Sequence, residues 1–251
     1  MSGFFGYIMK SDYLNDKAVF DSCLMNVSAY RQDKVNRLAR IEDKRDSLAA
    51  GVLLSYMLRK IFDVCERSVL YDKGEKGKPY IIGRPDICFS ISHTDGYVAV
   101  LLSKAPCGID IERVKKFPPT IVNRLYSSND REILAHNIDS ELLKDVYAEV
   151  VWTRRESYSK LTGTGILMKD EAQIMVMDED YLKNIDISAA SYICDDSGEL
   201  IDYRNIFDEC YCANTPQIAV SMCIKGLSIS DGSLLICDTA KIYEGFMFHN
   251  S

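Results

Sequence analysis

The apolar positions of this chain change their period several times along its length. FFGYIMK, near the N-terminus, is a short apolar run that predicts a strand, followed by a helical or loop segment up to about residue 30. In SLAAGVLLSYMLRKIF, Leu48, Ala49, Val52, Leu53, Tyr56 and Met57 recur at helical spacing and predict a core helix over 46–62. VLYDKGEKGKPYIIG alternates short strand-like runs with turn residues. ICFSISHTDGYVAVLLSK predicts a hairpin that turns at Thr94-Asp95-Gly96. Helices are expected over 120–135 and 139–162, and short strands return after Gly163.

One pattern occurs twice. GYVAVLLSK (96–104) and PQIAVSMCIK (216–225) both contain an aliphatic-Ala-Val strand, and each follows a long helix, 46–62 or 140–161. The expectation is two similar α+β halves joined near residue 105.

Composition narrows the class. With 251 residues, 47% of them hydrophobic, the chain can bury a large core. A net charge of −7 argues against a general nucleic-acid binder. No apolar run reaches the ~18 residues of a membrane span, and the N-terminus lacks signal-peptide features, so a cytoplasmic protein is expected. The nine cysteines are scattered singly with no CxxC pair, which fits reduced thiols better than disulfides or zinc.

The chemistry concentrates in four places. GIDIERV puts Asp110 and Glu112 on one face of a strand, with Ile109 and Ile111 on the other. Their Cα atoms would lie roughly 6.6 Å apart at ~3.3 Å per residue. Carboxylates that close need a positive charge between them, such as a hard divalent cation, unless the strand is an edge whose acids face water. VVWTRRESYSKLTGTGI puts Trp152, Glu156 and Lys160 on one helical face, either as a surface ion pair or as a third carboxylate and a cation aimed at the strand acids. Ser92 and His93 end a strand before a tight turn, and GEKGKPY offers Lys78 and Pro79 at a hairpin tip.

In order, GKPY, FSISH, GIDIE and W-x-x-R-E-x-x-x-K resemble the motifs of the Sfp-type 4′-phosphopantetheinyl transferases, over residues 31 to 170. The resemblance implies a pseudo-dimer of two similar α+β halves with the active site in the cleft between them. Residues 1–105 would form the coenzyme A nucleotide side, and 106–251 the metal-binding half with the catalytic helix. The implied reaction is transfer of 4′-phosphopantetheine from coenzyme A to a serine of an acyl or peptidyl carrier protein, releasing 3′,5′-ADP, by a monomer. Asp110, Glu112 and Glu156 would hold Mg²⁺. Glu156 would act as base, directly or through a water, and Lys160 would steady the transferring phosphate or protonate the leaving oxygen. His93, flanked by Ser92, would meet the 3′-phosphate; Lys78 and Pro79 would form the adenine-side loop; Arg45, Arg31 and Lys34 would add cations.

The family usually has Lys where this chain has Arg155, a change of head-group geometry at what could be the phosphate end of the cleft. The segment RVKKFPPTIVNRL is the expected carrier surface: Arg113, Lys115, Lys116 and Arg124 for charge, Phe117, Ile121 and Leu125 for apolar contact. Two other readings stay open: a non-enzymatic coenzyme A-binding module, and a Mg-dependent phosphohydrolase.

Overall fold

The computed structural model describes residues 3–137, 141–163, 218–225 and 232–250. Strand β1 (Phe4–Lys10) leads into α1 (Lys17–Asn26), α2 (Ala29–Arg37) and α3 (Ile41–Phe62). Asp16 caps α1 by accepting from the Ala18 and Val19 amides, and Ser28 caps α2 by accepting from the Arg31 amide. The segment RQDKVNRLARIEDKR (31–45), rich in Arg and Lys, is divided, because Leu38 is extended and ends α2. Helix α3 starts five residues earlier than the apolar stripe suggests and ends at Asp63, which is left-handed.

After α3 come β2 (Tyr71–Lys73) and β3 (Pro79–Ile81), paired with each other, then β4 (Cys88–Thr94), β5 (Tyr97–Ser103) and β6 (Cys107–Arg113). The β4–β5 hairpin turns where expected, with Asp95 at φ 33° and Gly96 at φ 92°. The turn is held from below: Ser11 Oγ and the Gly96 amide both donate to Asp46.

The remaining elements are α4 (Pro119–Leu125), α5 (Ser128–Glu132), α6 (Glu141–Thr162), β7 (Ile218–Ile224), β8 (Gly232–Ile236) and α7 (Thr239–Asn250). The helix expected over 120–135 is broken: Tyr126 is extended, and a π-type turn spans Ile133–Asn137. The strand of PQIAVSMCIK is present as β7, while residues 164–217 and 226–231 lie outside the described residues.

Four strands form one sheet in the order β4-β5-β1-β8, with β8 parallel to β1. The C-terminal elements thus return to the sheet built by the first hundred residues. Strand β5 is buried along its whole length because both of its faces are covered. Val98, Val100 and Leu102 face the core formed with α1, α3 and α7. Tyr97, Ala99 and Leu101 face Ile109 and Ile111 of β6 and Val220 and Met222 of β7.

Helix α6 lies on the outer side of the antiparallel β6–β7 ribbon. A Cβ at Gly108 would fall 1.8 Å from the Ser157 carbonyl oxygen and 2.6 Å from the Leu161 nitrogen, so only glycine lets the helix approach this closely. Among the described residues no helix is long and apolar enough to cross a membrane. The described cysteines, Cys23, Cys65, Cys88, Cys107, Cys223 and Cys237, are free thiols.

Candidate active site

Strand alternation sorts β6 as its sequence suggests. Ile109 and Ile111 are buried against the sheet, and the acids turn the other way. Asp110 is almost fully buried, and Glu112 half-buried. Neighbouring β4 matches them with a hydroxyl at every second position: Ser90 Oγ accepts from the Ile109 amide at 3.0 Å, Ser92 Oγ donates to Asp110 Oδ1 at 2.7 Å, and Thr94 Oγ1 donates to Glu112 Oε2 at 2.9 Å. Lys160 on α6 completes the cluster, donating to Asp110 Oδ1 at 2.6 Å and Ser92 Oγ at 2.8 Å. Glu156 lies one turn before Lys160 and lines the same cavity, as does Trp152, whose ring packs on Phe117 at 6.1 Å.

Three carboxyls this close shift one another. Burial raises Asp110 above the ordinary carboxyl range, and the Lys160 ammonium opposes that. Glu112 and Glu156 are raised first by burial and then by neighbouring carboxylates, Asp110 in both cases. Oδ2 of Asp110 is buried and has no hydrogen-bond partner. A buried carboxylate oxygen without a donor, beside two more acids, is the feature a hard cation would satisfy. Among the described residues, no three His, Cys, Asp or Glu side chains converge closely enough to hold a metal unaided. An ion here would draw its remaining oxygens from water or a bound phosphate.

The opposite wall of the cavity, whose volume is about 520 Å³, is cationic and aromatic. Helix α2 contributes Tyr30, Arg31 and Lys34; Tyr71 of β2, Lys78 of the turn before β3, Pro79 of β3 and Phe89 of β4 follow. Burial, with Arg31, Lys73 and Lys160 nearby, lowers Lys34 to about 8. Arg31 is buried, reaches the Ser47 carbonyl with Nη1 at 3.2 Å, and keeps Nε unpartnered. A Cβ at Gly51 would lie 2.6 Å from Arg31 Cγ, so a glycine in α3 makes room for this arginine. Crowded cations with an open donor favour an anion.

Ser92, His93, Asp110, Glu112, Glu156, Lys160, Arg31, Lys34, Lys78 and Pro79 therefore share one cavity. His93 stands at its mouth, where the surrounding protein lowers its pKa and Asp46 opposes the shift. Lys78, at the hairpin tip, is held by the backbone. Its ammonium donates to the backbone carbonyls of Cys107, at 2.8 Å, and Leu161, at 3.5 Å, tying the hairpin tip to β6 and the end of α6. Arg45 stands apart: it donates to Asn15 Oδ1, lies 3.7 Å from Glu42, and lines a separate polar cavity on the far side of His93.

Two sequence-based readings change. Arg155 does not close a phosphate end. It is buried, pairs with Asp130 at 3.4 Å and lies over the Tyr126 ring at 5.4 Å. Asp130 also accepts from Tyr147 and Ser127, so Arg155 joins α6 to α5. In RVKKFPPTIVNRL, Phe117 and Leu125 belong to the core under α6 rather than to a contact surface, and Arg113 is engaged with the Asp95 carbonyl and the Tyr97 ring.

Family comparisons agree with this geometry. Residues 15–105 match the model described as 4′-phosphopantetheinyl transferase, N-terminal, and residues 106–203 match the 4′-phosphopantetheinyl transferase superfamily. The chain belongs to the 4′-phosphopantetheinyl transferase superfamily. It is 30% identical over 151 residues to the 4′-phosphopantetheinyl transferase gsp of Aneurinibacillus migulanus, covering 60% of this chain and 62% of that protein. It is 28% identical over 141 residues to the 4′-phosphopantetheinyl transferase Sfp of Bacillus subtilis strain 168, covering 56% and 62%. It is 23% identical over 176 residues to the L-aminoadipate-semialdehyde dehydrogenase-phosphopantetheinyl transferase of Saccharomyces cerevisiae, covering 66% and 63%. The matched stretch thus spans about three-fifths of the length of these relatives.

Proposed function

We propose that this chain transfers 4′-phosphopantetheine from coenzyme A to a serine hydroxyl of an acyl or peptidyl carrier protein. The observation that carries this reading is the meeting of Asp110, Glu112, Glu156 and Lys160 with Arg31, Lys34 and His93 around one cavity. The cationic wall suits the nucleotide end of coenzyme A, with His93 at its 3′-phosphate, and the aromatic rings Tyr30, Tyr71 and Phe89 suit a flat base. The acidic wall suits the diphosphate together with Mg²⁺, held by Asp110, Glu112 and Glu156. Bound there, Mg²⁺ would neutralise charge that accumulates on the phosphate oxygens.

In this reading the carrier serine oxygen attacks the phosphorus that bears pantetheine. The bond from that phosphorus to the bridging oxygen breaks, and 3′,5′-ADP leaves with the electron pair. Glu156 takes the serine proton, directly or through a water; burial raises its pKa above the ordinary carboxyl value, which makes it a stronger base. Lys160 faces the leaving oxygen with a charge that Asp110 already orients.

The same reading treats 1–105 and 106–251 as two related α+β halves with the cavity in the cleft between them. The two family matches abut at residues 105 and 106, which supports it, with 232–250 returning to the first sheet. A monomer in a reducing, cytoplasmic compartment fits the free thiols. The test is release of 3′,5′-ADP from coenzyme A with Mg²⁺, with and without apo-carrier. Release that requires the carrier is expected; release to water alone would make the chain a phosphohydrolase.

A further inference from the structure

We propose that Glu66, which lies outside every motif and does not line the cavity, is the positioning residue for the cavity's nucleotide-binding wall. The inference rests on the function proposed above. Glu66 is 1% exposed and accepts three hydrogen bonds. The Ser28 amide donates to Oε2 at 2.7 Å, Ser28 Oγ donates to Oε1 at 2.5 Å, and Tyr71 Oη donates to Oε1 at 2.9 Å. Bonds to a buried carboxylate are short and strong, and removing the acceptor strands its donors.

All three bonds go to one wall. Ser28 is the cap of α2, the helix that presents Tyr30, Arg31 and Lys34. That helix has nine residues, too few to be stable alone, so its placement depends on how its start is fixed. Tyr71 lies with its ring centroid 5.0 Å from that of Tyr30 and meets Phe89 edge-on at 5.9 Å. Glu66 therefore holds both the helix and the aromatic surface beside it. Its charge also offsets the burial of the Arg31 guanidinium. One side chain sets the position of the cations and the rings relative to each other.

The test uses full-length protein with Glu66→Gln, which keeps the size and removes the charge. Coenzyme A affinity is read by calorimetry, and KM and kcat by carrier loading. The expected result is a roughly tenfold weaker coenzyme A Kd and KM, with kcat and carrier KM within about twofold of wild type. Tyr71→Phe, which leaves both Ser28 bonds in place, should weaken coenzyme A a few-fold with a smaller loss of melting temperature than Glu66→Gln, and covers the case in which Glu66→Gln does not fold. Adding Tyr71→Phe to Glu66→Gln should cost less than Tyr71→Phe costs alone, since the charge that strengthens the Tyr71 bond is already gone. Unchanged coenzyme A affinity in folded Glu66→Gln and in Tyr71→Phe would overturn the inference, as would a kcat loss with KM unaltered. Wild-type protein that neither binds coenzyme A nor loads a carrier would overturn the proposed function instead.

Discussion

The two walls of the cavity carry opposite charge and are built in opposite ways. The acidic wall comes from two regular elements at close range: β6 places Asp110 and Glu112 by alternation, and α6 places Glu156 and Lys160 by helical spacing. Its acids repel one another, and Lys160 is the cation that bonds to Asp110. The cationic wall comes from a nine-residue helix, a hairpin tip and a few rings, held by Glu66, Ser47 and two backbone carbonyls. One wall is placed by regular elements and crowded with like charge; the other is placed by bonds to scattered partners. Catalysis should fail when the first is changed, and affinity when the second is.

The sharpest way to break that division is Asp110→Asn. It removes the charge that orients Lys160, and carrier loading should fall about 10³-fold, while binding of 3′,5′-ADP by calorimetry stays within a few-fold. Near-normal turnover would remove Asp110 from the chemistry. His93→Ala probes the other wall and should weaken coenzyme A about tenfold more than dephospho-coenzyme A, since a charge-assisted bond is lost only with the former. Equal losses for the two ligands would make His93 structural.

Smaller effects test what surrounds the walls. Glu149 on α6 is buried, has Oε1 unpartnered, and is raised from 4.5 to about 8, first by burial and then by Glu112. The folded protein holds a proton there that the unfolded chain releases. Stability should therefore fall as pH rises from about 4.5 to about 8. Glu149→Gln should flatten that fall and melt a few degrees above wild type at pH 8.5, with no difference at pH 4. A wild-type melting temperature that rises over this range, or a variant that melts lower at pH 8.5, would contradict the assignment. The smallest change is expected from Lys115→Glu with Lys116→Glu: a few-fold higher carrier KM, growing milder with salt, and an unaltered coenzyme A KM. With Phe117 and Leu125 buried, that surface keeps its charges and the half-buried Ile121.

What the sequence revealed follows the same division. Alternation in GIDIE and the four-residue spacing in WTRRESYSK were legible because local geometry alone sets which side chains share a face. The β4–β5 turn was legible for the same reason, through Asp95 and Gly96. Arg31 and Lys34 could be named only by resemblance, because a charge run does not say which cations line a cavity. Glu66, Tyr30 and Tyr71 had no local signature, since their role arises from partners five to forty residues away. Gly108 and Ser90-x-Ser92-x-Thr94 did have one: a glycine marks a helix crossing, and alternate hydroxyls opposite alternate acids mark two strands that meet through their side chains. Arg155 misled because adjacency to Glu156 says nothing of direction; successive helical residues point about 100° apart, and this one faces Asp130.

The most direct test of the whole account is the intact mass of an apo-carrier protein incubated with this chain, coenzyme A and Mg²⁺, beside a carrier whose acceptor serine is alanine. A gain of ~340 Da, the mass of the phosphopantetheine arm, is expected on the serine form alone. An unmodified carrier, with coenzyme A intact or cleaved by water, would contradict it.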